Sequence, residues 1–243
     1  MGQYYQIALK LRNRKNWSYY DRSVDGKYTM AKLTEHSWIG NECVDGIARI
    51  IEESGPAKLA WVGDYADRED LKEHGISALH LDGYEKIIKR CWADKTKYKT
   101  IDKCKEPYEI YNKILINLTK KEYVVMSKYV ANMYYKQKNQ YYKDFDWEKA
   151  TPKERKSKEE RSWEYQMVCH PLSILTALGN GKGGGDYYEN NLNGDQVGRW
   201  VFDEIQIVNY SAQEISRLFS SGYSDITNYV LFSELLGNEK KEK

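Results

Sequence analysis

The order of two hydrophobic periodicities constrains the fold of this 243-residue chain more than any other feature. Apolar and polar residues alternate at positions 3–11 and 200–208, as in half-buried strands, whereas positions 39–53 repeat at helical spacing. Strand patterns at both ends, with helical patterns between and after them, argue against a regular βαβ order. The sequence therefore predicts a single α+β domain over residues 1–238, with a mixed or antiparallel sheet and flanking helices, and a charged tail at 239–243.

Turn and capping residues predict where several elements begin and end. The dipeptide Asp25-Gly26 predicts a two-residue hairpin between the first two strand patterns. Ser37 is a candidate N-cap for the helix that follows, and Gly55-Pro56 is a typical helix stop. These residues predict a β-hairpin followed by one amphipathic helix.

Two later segments contain competing or additional helix signals. Residues 119–122 match a capping box and favour a helix, whereas residues 123–125 favour a strand that returns from a turn. We favour the hairpin. A second capping box, Ser211 to Glu214, predicts a helix that runs toward residue 220.

The middle of the chain is basic. Residues 85–165 contain 21 basic and 13 acidic residues, a local balance of +8 against a net charge of +2 for the whole chain. Within them, residues 133–161 are rich in Lys, Tyr and Glu and predict a partly helical insertion that is peripheral to the core. Such a region can attract an anionic partner, nucleic acid included, but a solvated lysine-rich surface is the favoured interpretation.

Composition excludes several classes of protein. The cysteines Cys43, Cys91, Cys104 and Cys169 are widely spaced, so neither a disulfide framework nor a structural zinc site is predicted. No apolar run approaches the roughly 18 residues of a membrane span. The start of the chain does not resemble a signal peptide. We expect a cytoplasmic protein with free thiols, no membrane partner, no metal and no cofactor.

The most informative segment is rich in glycine. Residues 179–187 read Gly-Asn-Gly-Lys-Gly-Gly-Gly-Asp-Tyr. Glycine is costly in folding entropy, so a segment that keeps so many needs positive φ or close approach of its backbone to another group. Consecutive amides can bind an anion, and a lysine adds charge. The alternative is a long connection without a ligand. The candidate ligand-binding residues here are Asn180, Gly181, Lys182, Gly183, Gly184, Gly185 and Tyr187.

Two nucleotide-binding fingerprints do not apply to this segment. The spacing of Gly179, Gly181 and Gly184 fits the dinucleotide pattern, but the residues after Tyr187 offer no helix start to receive a pyrophosphate. A P-loop needs Ser or Thr after its lysine, and glycine stands there instead.

A second cluster lies where a strand pattern gives way to a helix. Glu35, His36, Trp38 and Asn41 are candidate site residues there, because a helix start favours anions and a histidine can transfer protons. The alternative, equally favoured, is that His36 and Ser37 merely cap the helix over a packed indole.

A third cluster ends the apolar run at 58–62. Trp61, Asp64 and Tyr65 stand at the end of a predicted buried strand, a common position for site residues, although Asp64 can equally cap a turn. His170 precedes what we interpret as a strand leading into the glycine-rich segment. If the protein is an enzyme, the candidate catalytic groups are His36, Asp64, His170 and Asp186.

Together these segments resemble a family of bacterial and bacteriophage proteins. The resemblance implies no particular activity. It implies a small intracellular protein of the kind found on mobile elements, which favours a role in phage–host conflict. The stretches that carry it begin at Met1, Glu35, Trp61, His170 and Gly179, and read MGQYY, EHSWIGN, WVGDY, HPL and GNGKGGGDY.

Three functions remain open on the sequence alone. The leading hypothesis is a protein that binds a small anionic ligand, a nucleotide or nucleotide-derived defence signal, with phosphate on the glycine-rich segment and the base on an aromatic side chain. The second is an enzyme that acts on such a ligand through His and Asp acid–base chemistry. The third is an inhibitor that binds a host protein through the basic insertion.

Overall fold

The fold is α+β, as the sequence predicts, and is built on one mixed sheet of ten strands. The computed structural model describes residues 4–24, 27–29, 31–64, 66–76, 98–101, 108–143, 145–160, 168–179 and 196–230. The strands are β1 (Tyr5–Leu11), β2 (Ser18–Val24), β3 (Lys27–Thr29), β4 (Ala57–Gly63), β5 (Tyr98–Ile101), β6 (Lys113–Asn117), β7 (Glu122–Val125), β8 (Ala177–Leu178), β9 (Glu204–Asn209) and β10 (Ser224–Asp225).

The strand order is β10-β7-β6-β9-β4-β1-β2-β3, with β5 paired to β2 and β8 paired to β4. Most neighbours are antiparallel; the pairs β10/β7, β2/β5 and β4/β8 are parallel. The β2–β3 pairing of Val24 with Lys27 leaves two residues between the strands, which agrees with the predicted hairpin. The β6–β7 hairpin is also confirmed, with Asn117 opposite Glu122, so the capping-box interpretation of residues 119–122 was wrong.

Helices cover both faces of the sheet. They are α1 (Leu33–His36), α2 (Glu42–Ser54), α3 (Arg68–Glu73), α4 (Met126–Tyr142), α5 (Pro152–Glu160), α6 (Pro171–Leu175) and α7 (Ala212–Ser220), with a short 3-10 helix at Ile110–Asn112. Alternation along each strand decides which side chain meets which helix. In β4, Leu59 and Trp61 pack into the main core with α2, whereas Ala60 and Val62 belong to a second core with Leu71 of α3.

Several predicted boundaries were wrong. Ser37 does not cap α2; the helix begins at Glu42, and Asn41 is its N-cap. The predicted strand at 200–208 starts only at Glu204, because residues 196–202 form turns. In contrast, Gly55 ends α2 with a φ of 89°, as expected.

The basic insertion starts inside a longer helix. Met133 is fully buried in the main core with Tyr129 and Met126, one and two turns earlier on α4. Beyond it, the helix and α5 pack on each other: Lys158 lies 3.6 Å from the centre of the Tyr141 ring. The first turns of α4 therefore belong to the core, and the proposed boundary at 133 fell inside them.

Candidate functional site

The carboxylate of Asp64 lies directly after the C-terminal end of β4, a place that we call the sheet edge. The backbone N–H of Tyr4 donates to Oδ1 of Asp64 at 3.1 Å, and the N–H of Asp64 donates to the carbonyl of Tyr4 at 2.9 Å. This closed pair of hydrogen bonds orients the carboxyl. Its partial burial raises the pKa of Asp64, and the Tyr4 amide offsets only part of that rise. Asp64 is thus a positioned hydrogen-bond acceptor at the sheet edge.

The glycine-rich segment starts beside this carboxylate. Strand β8 runs parallel to β4, with Ala177 opposite Trp61 and Leu178 opposite Val62. The N–H of Trp61 donates to the carbonyl of Thr176 at 2.7 Å. Because parallel strands end at the same edge, the chain leaves β8 next to the end of β4, where Asp64 lies. The start of the glycine-rich segment, at Gly179, therefore lies close to the cluster at the end of β4.

After the glycine-rich segment, the chain returns to α6 and β8, the elements that precede the segment. The N–H of Gly198 donates to the carbonyl of Ile174 at 2.9 Å. Gly198 has a φ of +71°, and a Cβ placed on it would lie 2.6 Å from the carbonyl oxygen of Ala177. Only glycine permits this contact between the outgoing and returning chain. The chain before and after residues 180–195 is therefore in contact, and we call this contact the closed base of the glycine-rich segment.

An ionic network holds the returning chain on the β6–β7 hairpin. Arg199 forms a two-pronged ion pair with Glu122, and Nε1 of Trp200 donates to Oε2 of Glu122 at 2.8 Å. Burial alone would raise the pKa of Glu122, but the hydrogen bonds from Arg199 and Trp200 outweigh it, so the net shift is downward. Asp203, four residues after Arg199, accepts a hydrogen bond from Asn117 at 2.8 Å.

Sequence reasoning missed this network. Glu122 was considered only as part of a turn or cap, and Arg199 was not singled out. The two residues are 77 positions apart, so no local signal pairs them.

The segments around Trp38 and His170 meet between the end of α1 and the start of α6. Trp38 forms an isolated antiparallel bridge with Cys169, and the N–H of His170 donates to the carbonyl of Ser37 at 2.7 Å. We expected a strand directly after His170, but a helix, α6, comes first and the strand β8 follows it. His170 is the N-cap of α6, with Nδ1 accepting from the N–H of Leu172 at 3.1 Å, and Pro171 opens the helix.

The burial of His170 determines its protonation state. Its side chain is fully buried, which lowers its pKa to about 3, so the imidazole is neutral at physiological pH. Because Nδ1 accepts the Leu172 amide, the single proton of the neutral ring is on Nε2. With no free ring lone pair, His170 in this state is a hydrogen-bond donor and not a general base.

The other predicted site residues that the structure describes have structural roles. Trp38 and Trp61 are 7% and 0% exposed and belong to the main core, which favours packing over stacking on a ligand. Glu35 accepts from the N–H of Lys32 at 2.9 Å, and Oδ1 of Asn41 accepts from the N–H of Cys43 at 2.9 Å. These are capping interactions, although the residues that we expected to cap the helix were the histidine and Ser37.

The remaining candidates lie outside the described residues. His36 ends α1, but its imidazole is not among the described side chains. The same holds for Tyr65, Asn180, Gly181, Lys182, Gly183, Gly184, Gly185, Asp186 and Tyr187.

A second polar network, also missed, lies at the opposite end of the sheet. Lys113, at the start of β6, donates to Glu52 of α2 and to Asn209 of β9 at 2.5 and 2.7 Å, and the Tyr108 hydroxyl donates to Glu52 at 2.8 Å. Asp45 lies two turns earlier on α2 and is 5% exposed. Since β9 runs antiparallel to β4 and extends past its start, this network is remote from Asp64.

Burial dominates the electrostatics of Asp45. It raises the pKa of Asp45 to about 7, although the Gly40 amide and the charge of Arg49 act in the opposite direction. The spacing of Asp45, Arg49 and Glu52, which places all three on one side of the helix, is the sequence signal that could have revealed this network.

The described part of the chain contains neither a candidate metal site nor a helix that could span a membrane. Among these residues, no group of three or more His, Cys, Asp or Glu side chains could hold a metal ion. None of the described helices combines the length and apolar character needed to cross a membrane.

Comparison with known proteins gave no match: none to a protein-family model, none to a curated protein and none to a solved structure.

Proposed function

We propose that this protein binds a small anionic ligand of the nucleotide type at the sheet edge where β4 ends. The observation that supports this most directly is the parallel pairing of β8 with β4, which starts the glycine-rich segment beside Asp64. Backbone amides and Lys182 would hold phosphate, and the oriented carboxylate of Asp64 would accept from a sugar hydroxyl or a base N–H.

The closed base of the segment favours this function. The contact of Gly198 with Ala177 and the ion pair of Arg199 with Glu122 fix both ends of the segment to the sheet. A binding segment with fixed ends loses less conformational entropy when a ligand orders it, which favours affinity.

The state of His170 removes one of the four candidate catalytic groups, which supports binding over catalysis. A neutral imidazole with its proton on Nε2 and its Nδ1 occupied supplies no base for acid–base chemistry. In a phage-type protein, such binding would withdraw a nucleotide signal from the host.

Lys182→Ala tests the phosphate contact. We expect wild-type protein to bind at least one member of a panel of nucleoside mono-, di- and cyclic phosphates in calorimetric titrations. The variant should bind about tenfold more weakly, because a charge-assisted hydrogen bond is lost. Its affinity should also depend less on salt, because a screened charge has been removed.

Lys72→Ala is the matched control, since Lys72 is a largely exposed lysine on α3. It should bind as the wild type does. Asp64→Asn, which keeps an acceptor oxygen but removes the charge, should change the ranking of nucleotides. Equal affinity of Lys182→Ala and wild type, or no binding by the wild type, contradicts the proposal.

A further inference from the structure

Four strands have an end on the side of the sheet that is remote from Asp64. Strand β6 begins there at Lys113, which pairs with Asn209, the last residue of β9. The antiparallel pairing of Ile114 with Val125 places the end of β7 there as well. Strand β10 is parallel to β7 and therefore ends on the same side. The segments that precede β6 and follow β7, β9 and β10 consequently meet at this end of the sheet.

Exposed aromatic rings are concentrated in these segments. The described part of the chain has six exposed large hydrophobic side chains, and five of them, all tyrosines with exposed fractions from 38% to 66%, belong here. We call these five the tyrosine patch: Tyr111, Tyr134, Tyr135, Tyr210 and Tyr229. The sixth, Phe219, is on α7, whose Leu218 packs on the opposite face of the sheet from α4. A concentration of this kind is typical of an interaction surface.

Hydrogen bonds and packing connect the segment before β6 to the segments after β9 and β7. The N–H of Tyr210 donates to the carbonyl of Asn112 at 2.7 Å. Tyr210 therefore lies next to the 3-10 helix that contains Tyr111. This 3-10 helix packs against α4, and its Ile110 belongs to the same main core as Tyr129 of α4.

The segment after β10 also contacts α4. Nδ2 of Asn132 donates to Oδ1 of Asn228 at 3.0 Å, which brings the turn that contains Tyr229 against this helix. Asn132 lies one helical turn before Tyr135, so both residues are on the same side of α4. The rings of Tyr134 and Tyr135 are in edge contact, with centroids 6.1 Å apart.

Helix α4 adds positive charge beside the tyrosine patch. Residues 126–143, which comprise α4 and the next residue, contain four lysines and no acidic residue. In contrast, α2, α3, α5 and α7 each contain residues of both signs. Carboxylates at this end include Glu52 and Asp225, each of which is bound to a lysine, and the exposed Glu109. The helix therefore gives this surface an excess of positive charge.

Exposed tyrosines next to lysines match the chemistry of a single-stranded nucleic acid. Bases stack on aromatic rings, and lysines bind the phosphates between them. A solvated lysine-rich surface needs no exposed aromatic rings. An acidic protein would satisfy the lysines, but it would offer few flat rings to five tyrosines. Basic charge in the sequence did not by itself favour a nucleic-acid partner, whereas the convergence of the tyrosines on it does.

We propose that the tyrosine patch and α4 bind single-stranded nucleic acid, with bases stacked on the tyrosines and phosphates on the lysines of α4. This surface is separate from the nucleotide site at the sheet edge, because the two lie at opposite ends of the sheet.

Fluorescence anisotropy with the full-length protein tests the proposal. The probes are a labelled oligothymidylate of about 15 nucleotides, an abasic strand of equal length and the corresponding duplex. We expect the oligothymidylate to bind at least about tenfold more tightly than the abasic strand, which keeps the phosphates but has no bases to stack. The duplex should also bind more weakly, since its base faces are covered. Affinity should fall steeply with salt, because bound lysines release counterions.

Single variants distinguish stacking from charge. Tyr135→Ala and Tyr229→Ala, on two different segments of the patch, should each bind the oligothymidylate about tenfold more weakly. Tyr135→Phe should bind as the wild type does, because it keeps the ring. Phe219→Ala is the matched control, since it removes an even more exposed ring from α7. Thermal melting of each variant should match that of the wild type, since all these side chains are exposed.

Three results would overturn the proposal. The first is no binding of the oligothymidylate by the wild type. The second is equal affinity for the oligothymidylate and the abasic strand with unchanged affinity of Tyr135→Ala and Tyr229→Ala. That result would assign the lysines to a polyanion without bases, such as an acidic protein. The third is weaker oligothymidylate binding by Lys182→Ala, which would place the strand at the sheet edge. Failure of mononucleotide binding, in contrast, affects the proposed function alone.

Discussion

Asp45→Asn should make the protein gain stability as pH rises from 4.5 to 7, whereas His170→Asn should make it lose stability over the same range. The folded pKa of Asp45 is raised to about 7, from 3.8 for the free side chain, mainly by burial. The folded state therefore holds this proton more tightly than the unfolded chain. Raising the pH removes the proton from the unfolded chain first and favours unfolding.

His170 acts in the opposite direction. Burial lowers its folded pKa to about 3, from 6.5. Between these values the unfolded chain binds the proton and the folded protein does not, so stability rises with pH up to about 6.5. Each pKa unit corresponds to about 1.4 kcal/mol, so each group changes the free energy of unfolding by up to about 3 kcal/mol over the window.

The two contributions to the pH dependence largely cancel in the wild type. Each single variant therefore shows the contribution of the group that remains. Urea unfolding at pH 4.5, 5.5, 6.5 and 7 measures them, and the double variant should resemble the wild type in slope. The downward-shifted carboxylates Glu122 and Glu204 lose their contribution only as pH falls below about 4.5, so they act outside this window. Parallel pH profiles for both single variants would show that neither group is buried as described.

Gly198→Ala should lower the free energy of unfolding by about 3 kcal/mol or more. Its Cβ would lie 2.6 Å from the carbonyl oxygen of Ala177, and Ala177 is held in β8 against Trp61. Because both contacting groups belong to fixed backbone, neither can move aside cheaply. The positive φ of +71° adds the strain of an L residue in the left-handed region, about 1–2 kcal/mol.

Gly222→Ala separates these two causes. Gly222 has a similar φ of +77°, but a Cβ there meets nothing within 4 Å. It should cost only the backbone strain, about 1 kcal/mol. Chemical unfolding of both variants gives the comparison. Similar losses would mean that the outgoing and returning chains do not touch, and the closed base of the glycine-rich segment would have to be abandoned.

Local signals in the sequence determined most element types. Gly55 ends α2, and the hydroxyl of Ser211 accepts from the N–H of Glu214 at 3.0 Å as the capping box predicts. Period-two alternation assigned β1 correctly, because the side-chain direction in a strand depends on neighbouring residues alone. The apolar run at 58–62 assigned β4 correctly. Where two local signals competed, as at residues 119–125, cross-strand pairing with β6 favoured the strand.

The tertiary structure alone decided which residues meet. Trp61 is an aromatic residue at a strand end in the sequence, but its position between β1 and β8 makes it core. His170 is a candidate base in the sequence, and only burial and the Leu172 amide make it a donor. Desolvation and long-range hydrogen bonds depend on groups far apart in the chain, so a local pattern cannot contain them.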